Sequence, residues 1–385
     1  MKISKNIYLK EFKYGSNKKI YTILKKLINE KNSLTSSLSN IYKYSYNKNF
    51  INHLKKYSRV NLIGMGGSSL SAKSIYNFFK EKIKKEFNFF DNLSLTKEKN
   101  KKGKNTLNLI ISKSGNTLET IVNSNIFTNK SQKNVFLTEN RNSYLFNLAK
   151  KLKADIVFHN NYIGGRYSVL SEVGMLPAEL MGLKESKFKQ YDNLIKNKNF
   201  LNGLVSSVSN ILNYTKKGKT NSIILNYDEN SSDLFSWYQQ LVAESLGKKG
   251  KGILPLVSNL PKDNHSLMQL YLDGVKNNFF TFFFVNEKKS DFKINNKLLY
   301  KSHAYLKNKN LEKIKEIQFQ ATQKVFKKRN IPFRSFYINK RDEQTLGELF
   351  TFFILETILL GKALKVNPFD QPAVELIKIE TKNNF

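Results

Sequence analysis

Short apolar runs alternate along the chain with longer stretches whose apolar positions recur every three or four residues. Val60–Ile63, Thr106–Ile111, Asn134–Thr138 and Asp155–His159 read as strands, separated by helices over Ser69–Lys82, Leu118–Asn129 and Ser143–Lys151. A further helix is predicted over Leu170–Met181. The pattern then restarts, with strands at Ser222–Tyr227, Ile253–Val257, Phe279–Val285 and Phe333–Ile338. Helices over Ser232–Leu246, Asn264–Asp273, Leu311–Lys328 and Glu343–Lys362 fit between them. Alternating strands and helices predict an α/β fold with parallel sheets covered on both faces. Two successive sets predict two doubly wound domains in tandem, 1–200 and 201–367, joined near Asn199–Lys219. The Lys- and Asn-rich stretches Lys184–Asn199 and Asn286–Asn308 read as surface connections. Residues 368–385 are too few for a domain and are expected to pack back onto the body. No repeat of fixed period appears, which argues against a solenoid or a propeller.

Composition narrows the chemistry. The 385 residues contain no cysteine, which excludes disulfides, thiolate zinc sites, iron–sulfur clusters and a cysteine nucleophile. The first residues, MKISKNIYLKEFKYGSN, hold no signal-peptide core, and Leu346–Leu364 is interrupted by Glu348, Glu356 and Lys362. A cytoplasmic protein without membrane attachment is the expectation. The 65 Lys and Arg against 30 Asp and Glu give a formal charge of +35. These lysines are spread along the chain, in short runs such as Lys97–Lys104 and Lys248–Lys251, beside abundant Asn, Ile, Phe and Tyr. That distribution reads as compositional bias with solvated faces rather than a nucleic-acid footprint, and no nucleic-acid partner is expected.

Two loops, each between a predicted strand and a predicted helix, suit an anion. Gly64-Met65-Gly66-Gly67-Ser68-Ser69 lets backbone approach a ligand, but Ser69 breaks the dinucleotide pattern of glycines. Ser112-Lys113-Ser114-Gly115-Asn116-Thr117 offers hydroxyls, a glycine and a helix start to phosphate oxygens, without the Gly-Lys-Ser/Thr of a Walker loop. An N-cap at Thr117, with Glu119 and Thr120 serving only helix initiation, is the plainer alternative. Glu244, late in its helix with Gln240 one turn earlier on the same face, suits a base that moves a proton between adjacent carbons. A solvated glutamate is the alternative there. His265, one of four histidines, suits proton exchange near neutral pH, or merely caps its helix. The histidines show no metal-ligand spacing, so no metal is expected. Arg166 follows two glycines, and its fixed charge suits a developing enediolate.

Taken together these segments carry a resemblance. Ser112–Thr120 resembles the phosphate-binding signature of the sugar isomerase (SIS) domain superfamily. Gly164–Gly174 (GGRYSVLSEVG), Glu244–Lys248 (ESLGK) and Asp370–Lys378 (DQPAVELIK) resemble, in order, signatures of the phosphoglucose isomerase family. The tail segment departs from it at Ala373 and Ile377, where the family has glycine. The resemblance implies two SIS-type, flavodoxin-like domains and an enzyme interconverting glucose 6-phosphate and fructose 6-phosphate. Ring opening and an enediol(ate) intermediate would need neither metal nor cofactor. Glu244, His265, Lys378 and Arg166 would be catalytic. Gly67, Ser68, Ser112, Lys113, Ser114, Thr117, Gln240 and Gln371 would hold the substrate. It also implies a homodimer with shared sites, in which His265 reaches across the interface. A bifunctional phosphoglucose/phosphomannose isomerase and a non-catalytic sugar-phosphate sensor remain alternatives.

Overall fold

In the computed structural model, residues 1–10, 17–30, 33–94, 105–286 and 292–385 are described. The lysine run Lys97–Lys104 lies outside them, as do residues 287–291 of the connection expected over Asn286–Asn308.

Two five-stranded sheets form the frame. In the first, β2 (Arg59–Gly64), β3 (Glu86–Phe90), β4 (Thr106–Ile111), β5 (Lys133–Thr138) and β6 (Asp155–Phe158) lie in the order β3-β2-β4-β5-β6, all parallel. In the second, β7 (Asn221–Asn226), β8 (Leu254–Asn259), β9 (Asn278–Val285) and β10 (Phe333–Ile338) are parallel, and β1 (Ile7–Lys10) joins antiparallel to β10. Central strands such as β4 and β9 are buried along their whole length, as expected of parallel strands covered on both faces. The α/β architecture with two parallel sheets therefore stands as read from the sequence.

Three features differ from the reading. The amino terminus contributes β1 to the second sheet, so the sheets do not divide the chain cleanly at residue 200. The segment expected to join the domains is instead the 19-residue helix Lys198–Lys216, with Phe200, Leu204, Val208 and Ile211 buried. Its Ser, Asn and Gly content makes it a poor helix by propensity, and packing against the helix Glu343–Leu364 supplies what propensity does not. Lys184–Asn199 is not a solvated connection either: Phe188, Lys189, Tyr191 and Leu194 are buried in it. The Lys189 ammonium donates to the carbonyls of Ser37 and Leu170 and lies over the rings of Tyr42 and Tyr44, 4.8 and 5.1 Å from their centroids.

Asparagines sit in strand interiors, where propensity disfavours them, and they form a ladder. Asn88, Asn61, Asn108 and Asn134 stand in register across β3, β2, β4 and β5. Their side-chain amides donate from one to the next at 3.3, 3.0 and 2.9 Å. A one-residue slip would leave buried amides unpaired, so the ladder fixes the register that carries the loops at the strand ends.

The two halves meet through the helix Gly67–Phe78, after β2, and the helix Ser232–Leu246, after β7. The helix Glu343–Leu364 is buried from Thr345 to Gly361, and among the described residues no helix is long and apolar enough to cross a membrane. The chain's end does return to the body, by hydrogen bonds over residues 367–371 and by Lys378 beside the loop that follows β4. The helix beyond it, Pro372–Asn383, buries no residue.

Candidate active site

The phosphate loop is a small scaffold of its own. It leaves β4 at Ser112 and enters the helix Leu118–Phe127. Gly115, at φ +67°, makes the turn, and a Cβ there would overlap the Ser143 hydroxyl. The loop rests on the segment after β5: Glu139 N–H donates to Lys113 O at 3.1 Å, Leu145 N–H to Gly115 O at 3.0 Å and Tyr144 N–H to Asn116 Oδ1 at 2.9 Å. Thr117 occupies the cap position but makes no side-chain cap bond; its hydroxyl pairs with Ser112 Oγ at 3.0 Å. Thr117 therefore caps the helix with its backbone carbonyl alone, taken by Ile121 N–H at 3.0 Å, and its side chain satisfies none of the first N–H groups.

Ser112, Lys113, Ser114 and Thr117 line a cavity of about 350 Å³ together with Ser68, Met65, Thr120, Glu139, Arg141, Gly165, Gln371 and Lys378. Lys113 donates to Asn161 O at 2.6 Å and lies 3.7 Å from Glu139; burial lowers its pKa below the ordinary lysine value, against the pull of that carboxylate. Gly67 does not line the cavity. It is the point of closest approach between two segments, where a Cβ would overlap the carbonyl of Gly165. Beside it Gly66, at φ +53°, leaves room for Gln240, whose Nε2 would lie 2.7 Å from a Cβ.

Gly165 leads from this cavity to the second group of residues. Arg166, 2% exposed, has all its donors engaged. Nε donates to Ser245 Oγ at 2.9 Å. Nη1 donates to Glu244 Oε2 at 3.1 Å and to Gln371 Oε1 at 2.7 Å. Nη2 donates to the carbonyls of Pro368 at 2.7 Å and Asp370 at 3.1 Å. Tyr167 adds its hydroxyl against Ser245 Oγ (2.8 Å) and Pro368 O (2.9 Å). Trp237 Nε1 holds the Arg166 carbonyl at 3.1 Å. The other oxygen of Glu244, Oε1, accepts from Gln240 Nε2 at 2.9 Å. The carboxylate is thus gripped at both oxygens while its side chain stays 31% exposed.

The structure thus brings together Arg166, Glu244, Gln240 and Gln371, and sets them beside the phosphate cavity. In this arrangement every Arg166 donor is engaged by Ser245, Glu244, Gln371 and the carbonyls of Pro368 and Asp370. Lys378 lines the cavity but pairs with Glu375 Oε1 at 2.7 Å, both side chains exposed. His265 stands apart. The expected helix from Asn264 is broken into a 3₁₀ turn, Lys262–His265, and a helix, Met268–Asp273, and His265 is exposed on it. Reasoning from sequence assigned nothing to Ser245, Tyr167, Thr120, Glu139 or Arg141, or to the carbonyls of Pro368 and Asp370. The first three stand inside the quoted motifs, so adjacency was a usable signal; backbone carbonyls leave none.

With this geometry in view, comparison with known proteins is decisive. A sequence model of the phosphoglucose isomerase family matches residues 16–254. The chain belongs to the phosphoglucose isomerase family. It is 35% identical to the glucose-6-phosphate isomerase of Mycoplasmopsis pulmonis, over 82% of this chain and 80% of that one. It is 32% identical to that of Methanocaldococcus jannaschii, over 86% and 85%. The crystal structure of a glucose-6-phosphate isomerase from Chlamydia trachomatis superposes with a TM-score of 0.79 at 17% identity, over 99% of this chain and 88% of that one, which speaks for the fold.

Proposed function

We propose that this member of the family interconverts glucose 6-phosphate and fructose 6-phosphate. The observation that carries the reading is a carboxylate, Glu244, held at both oxygens by Gln240 and Arg166 and joined through Gly165 and Gln371 to a hydroxyl-lined anion cavity. A phosphate bound at Ser112, Ser114 and Thr117 anchors the open-chain sugar. Glu244 then takes the proton from C2: the C2–H electron pair forms the C1–C2 double bond of the enediol while the C1=O π pair moves onto O1, which takes up a proton. O2 then loses its proton, its O–H pair forms the C2 carbonyl, and the C1–C2 π pair takes the proton back at C1. Lys378, at the cavity rim, supplies positive charge for ring opening. A sensor that only binds sugar phosphate needs the cavity but not the gripped carboxylate. The test is a coupled assay of the purified protein with fructose 6-phosphate and, in parallel, mannose 6-phosphate. Turnover of the first alone supports this reading; turnover of both makes the enzyme bifunctional; turnover of neither rejects catalysis.

The reading extends to a cytoplasmic homodimer, since a doubly charged sugar phosphate stays within the cell that makes it. His265 is exposed, and β8 beside it is the edge strand of its sheet with Leu254, Leu256 and the neighbouring Leu270 also exposed. Such a face supports a second copy seated there, His265 entering the partner's site. Mixing inactive His265→Ala and Glu244→Gln proteins should restore activity through hybrid dimers. Verified subunit exchange without recovery would count against the shared site.

A further inference from the structure

The phosphate cavity contains two residues that no motif selects, Glu139 and Arg141, just past the end of β5. Glu139 is 7% exposed and lies between two cations: Arg141 Nε at 2.9 Å from Oε2 and Lys113 Nζ at 3.7 Å from Oε1. A buried carboxylate beside the place where a phosphate dianion binds is a liability, because like charges in a partly dry cavity repel strongly. Something must stand between them. Lys113 meets only part of this, since one of its three ammonium donors is given to Asn161 O and the group stands 3.7 Å from Glu139 on the side away from Arg141 Nε. Arg141 is differently disposed. Its side chain is 54% exposed, Nε faces Glu139, and Nη2 reaches only a long 3.4 Å contact with the carbonyl of Ser114. A planar guanidinium presents donors along two edges, so one edge stays on a carboxylate while the other takes a phosphate.

We propose that Arg141 is a specificity-determining residue for the phosphate group, held at the rim by Glu139 and closing its free edge onto a bound phosphomonoester. Glu139 both aims the guanidinium and weakens the site for anions, so the pair sets how tightly the phosphate is held. Resting on the sugar-phosphate reading above, the proposal names the group of this chain that distinguishes a phosphorylated sugar from the bare one, beyond the hydroxyls of the loop.

The test uses the full chain with inorganic phosphate as the probe, titrated by calorimetry, and KM for fructose 6-phosphate in parallel. Arg141→Gln should weaken phosphate binding and raise KM by roughly 10–100-fold, the range of a lost charge-assisted hydrogen bond, with a smaller change in kcat. Arg141→Lys, a point charge without the second edge, should fall between. Glu139→Gln should tighten phosphate binding, and that gain should shrink when Arg141→Gln is added, because the two side chains act as a pair. A purely structural role for Arg141 would lower kcat and stability while leaving the phosphate affinity of the folded fraction unchanged. Phosphate affinity and KM within twofold of the parent in Arg141→Gln would overturn the proposal. Should the parent protein bind phosphate but not isomerise, the activity reading falls while the phosphate comparison still decides on Arg141.

Discussion

The phosphate cavity and the Arg166–Glu244 cluster adjoin, yet they are assembled in opposite ways. The scaffold of the first is local: its loop, its helix start and its supporting turn all fall between Ser112 and Leu145, and Met65, Ser68, Gly165, Gln371 and Lys378 only complete the lining. The second is a junction. Arg166 reaches 78 residues along the chain to Glu244 and 205 to Gln371, binding the second sheet's helix and the tail to a turn in the first half. On the proposed reading the cradle would hold the phosphate, which does not change during reaction, and the junction would place the reacting carboxylate, with a geometry that depends on how the halves pack. Substitutions in the cradle should therefore act on binding, and substitutions in the junction on turnover.

The largest effect tests that division at its centre. Glu244→Gln keeps the side chain's size and the bond its oxygen accepts from Arg166, but its amide nitrogen cannot accept from Gln240 and the basic carboxylate is gone, so kcat should fall by roughly 10²–10⁴-fold with KM little altered. Near-normal turnover in this variant would dissolve the contrast between the two regions. Arg166→Lys comes next. One ammonium cannot hold Ser245, Glu244, Gln371 and the carbonyls of Pro368 and Asp370 at once. A loss in kcat of roughly 10–100-fold is expected from lost charged hydrogen bonds, together with faster proteolytic cleavage after residue 366. A variant whose tail stays as resistant as the parent's would show that the junction does not depend on the guanidinium.

The cradle should respond in the other currency of the kinetics. Ser114→Ala with Thr117→Ala removes two hydroxyls from the anion site, and KM should rise by roughly 10-fold while kcat stays within a few-fold. A collapse of kcat at constant KM would mean that the loop, and not only the junction, positions the reacting carbons.

The same contrast explains what the sequence disclosed. The phosphate loop was legible because its residues are contiguous between an apolar strand and a helix. Both parallel sheets were legible from the apolar runs. Glu244 and Arg166 could be singled out within their motifs, but not the bonds between them, since no pattern in one segment encodes a partner on another. Still less legible were Pro368 O and Asp370 O, which act through backbone that any residue supplies. The strands Ile7–Lys10 and Glu86–Phe90 were missed because one is short and the other carries Asn88, whose cost is met by the amide of Asn61 on the neighbouring strand and by Glu86 on its own. The helix Lys198–Lys216 and the buried Lys189 went unread for a related reason: a polar composition predicts exposure unless distant partners absorb the polar groups.

Lys189 offers the subtlest probe of the junction, because it touches the Arg166 turn only at the Leu170 carbonyl, the end of the 3₁₀ segment Gly165–Leu170. Burial lowers its pKa from 10.5 to about 7, more than Glu172, Glu185 and Asp192 raise it. The folded chain therefore gives up this proton more readily than the unfolded one. Between about pH 7 and the ordinary lysine value the unfolded state binds more protons, so this group makes stability increase with pH across that window, and below it the penalty is present in full. Lys189→Met keeps the length of the side chain and removes the charge. Other titrating groups are common to both proteins, so the stability of the parent minus that of the variant should rise from pH 7 towards 10, by at most about 5 kcal/mol, and stay level below pH 7. Urea midpoints at pH 6.5, 8 and 9.5 measure it. Turnover at neutral pH should change by no more than a few-fold, since the bonds from Arg166 to Glu244 and Gln371 remain. Parallel stability curves for the two proteins would mean that the ammonium is as well solvated inside as out. A large loss of kcat would mean instead that the turn carrying Arg166 is set by Lys189 as much as by the tail.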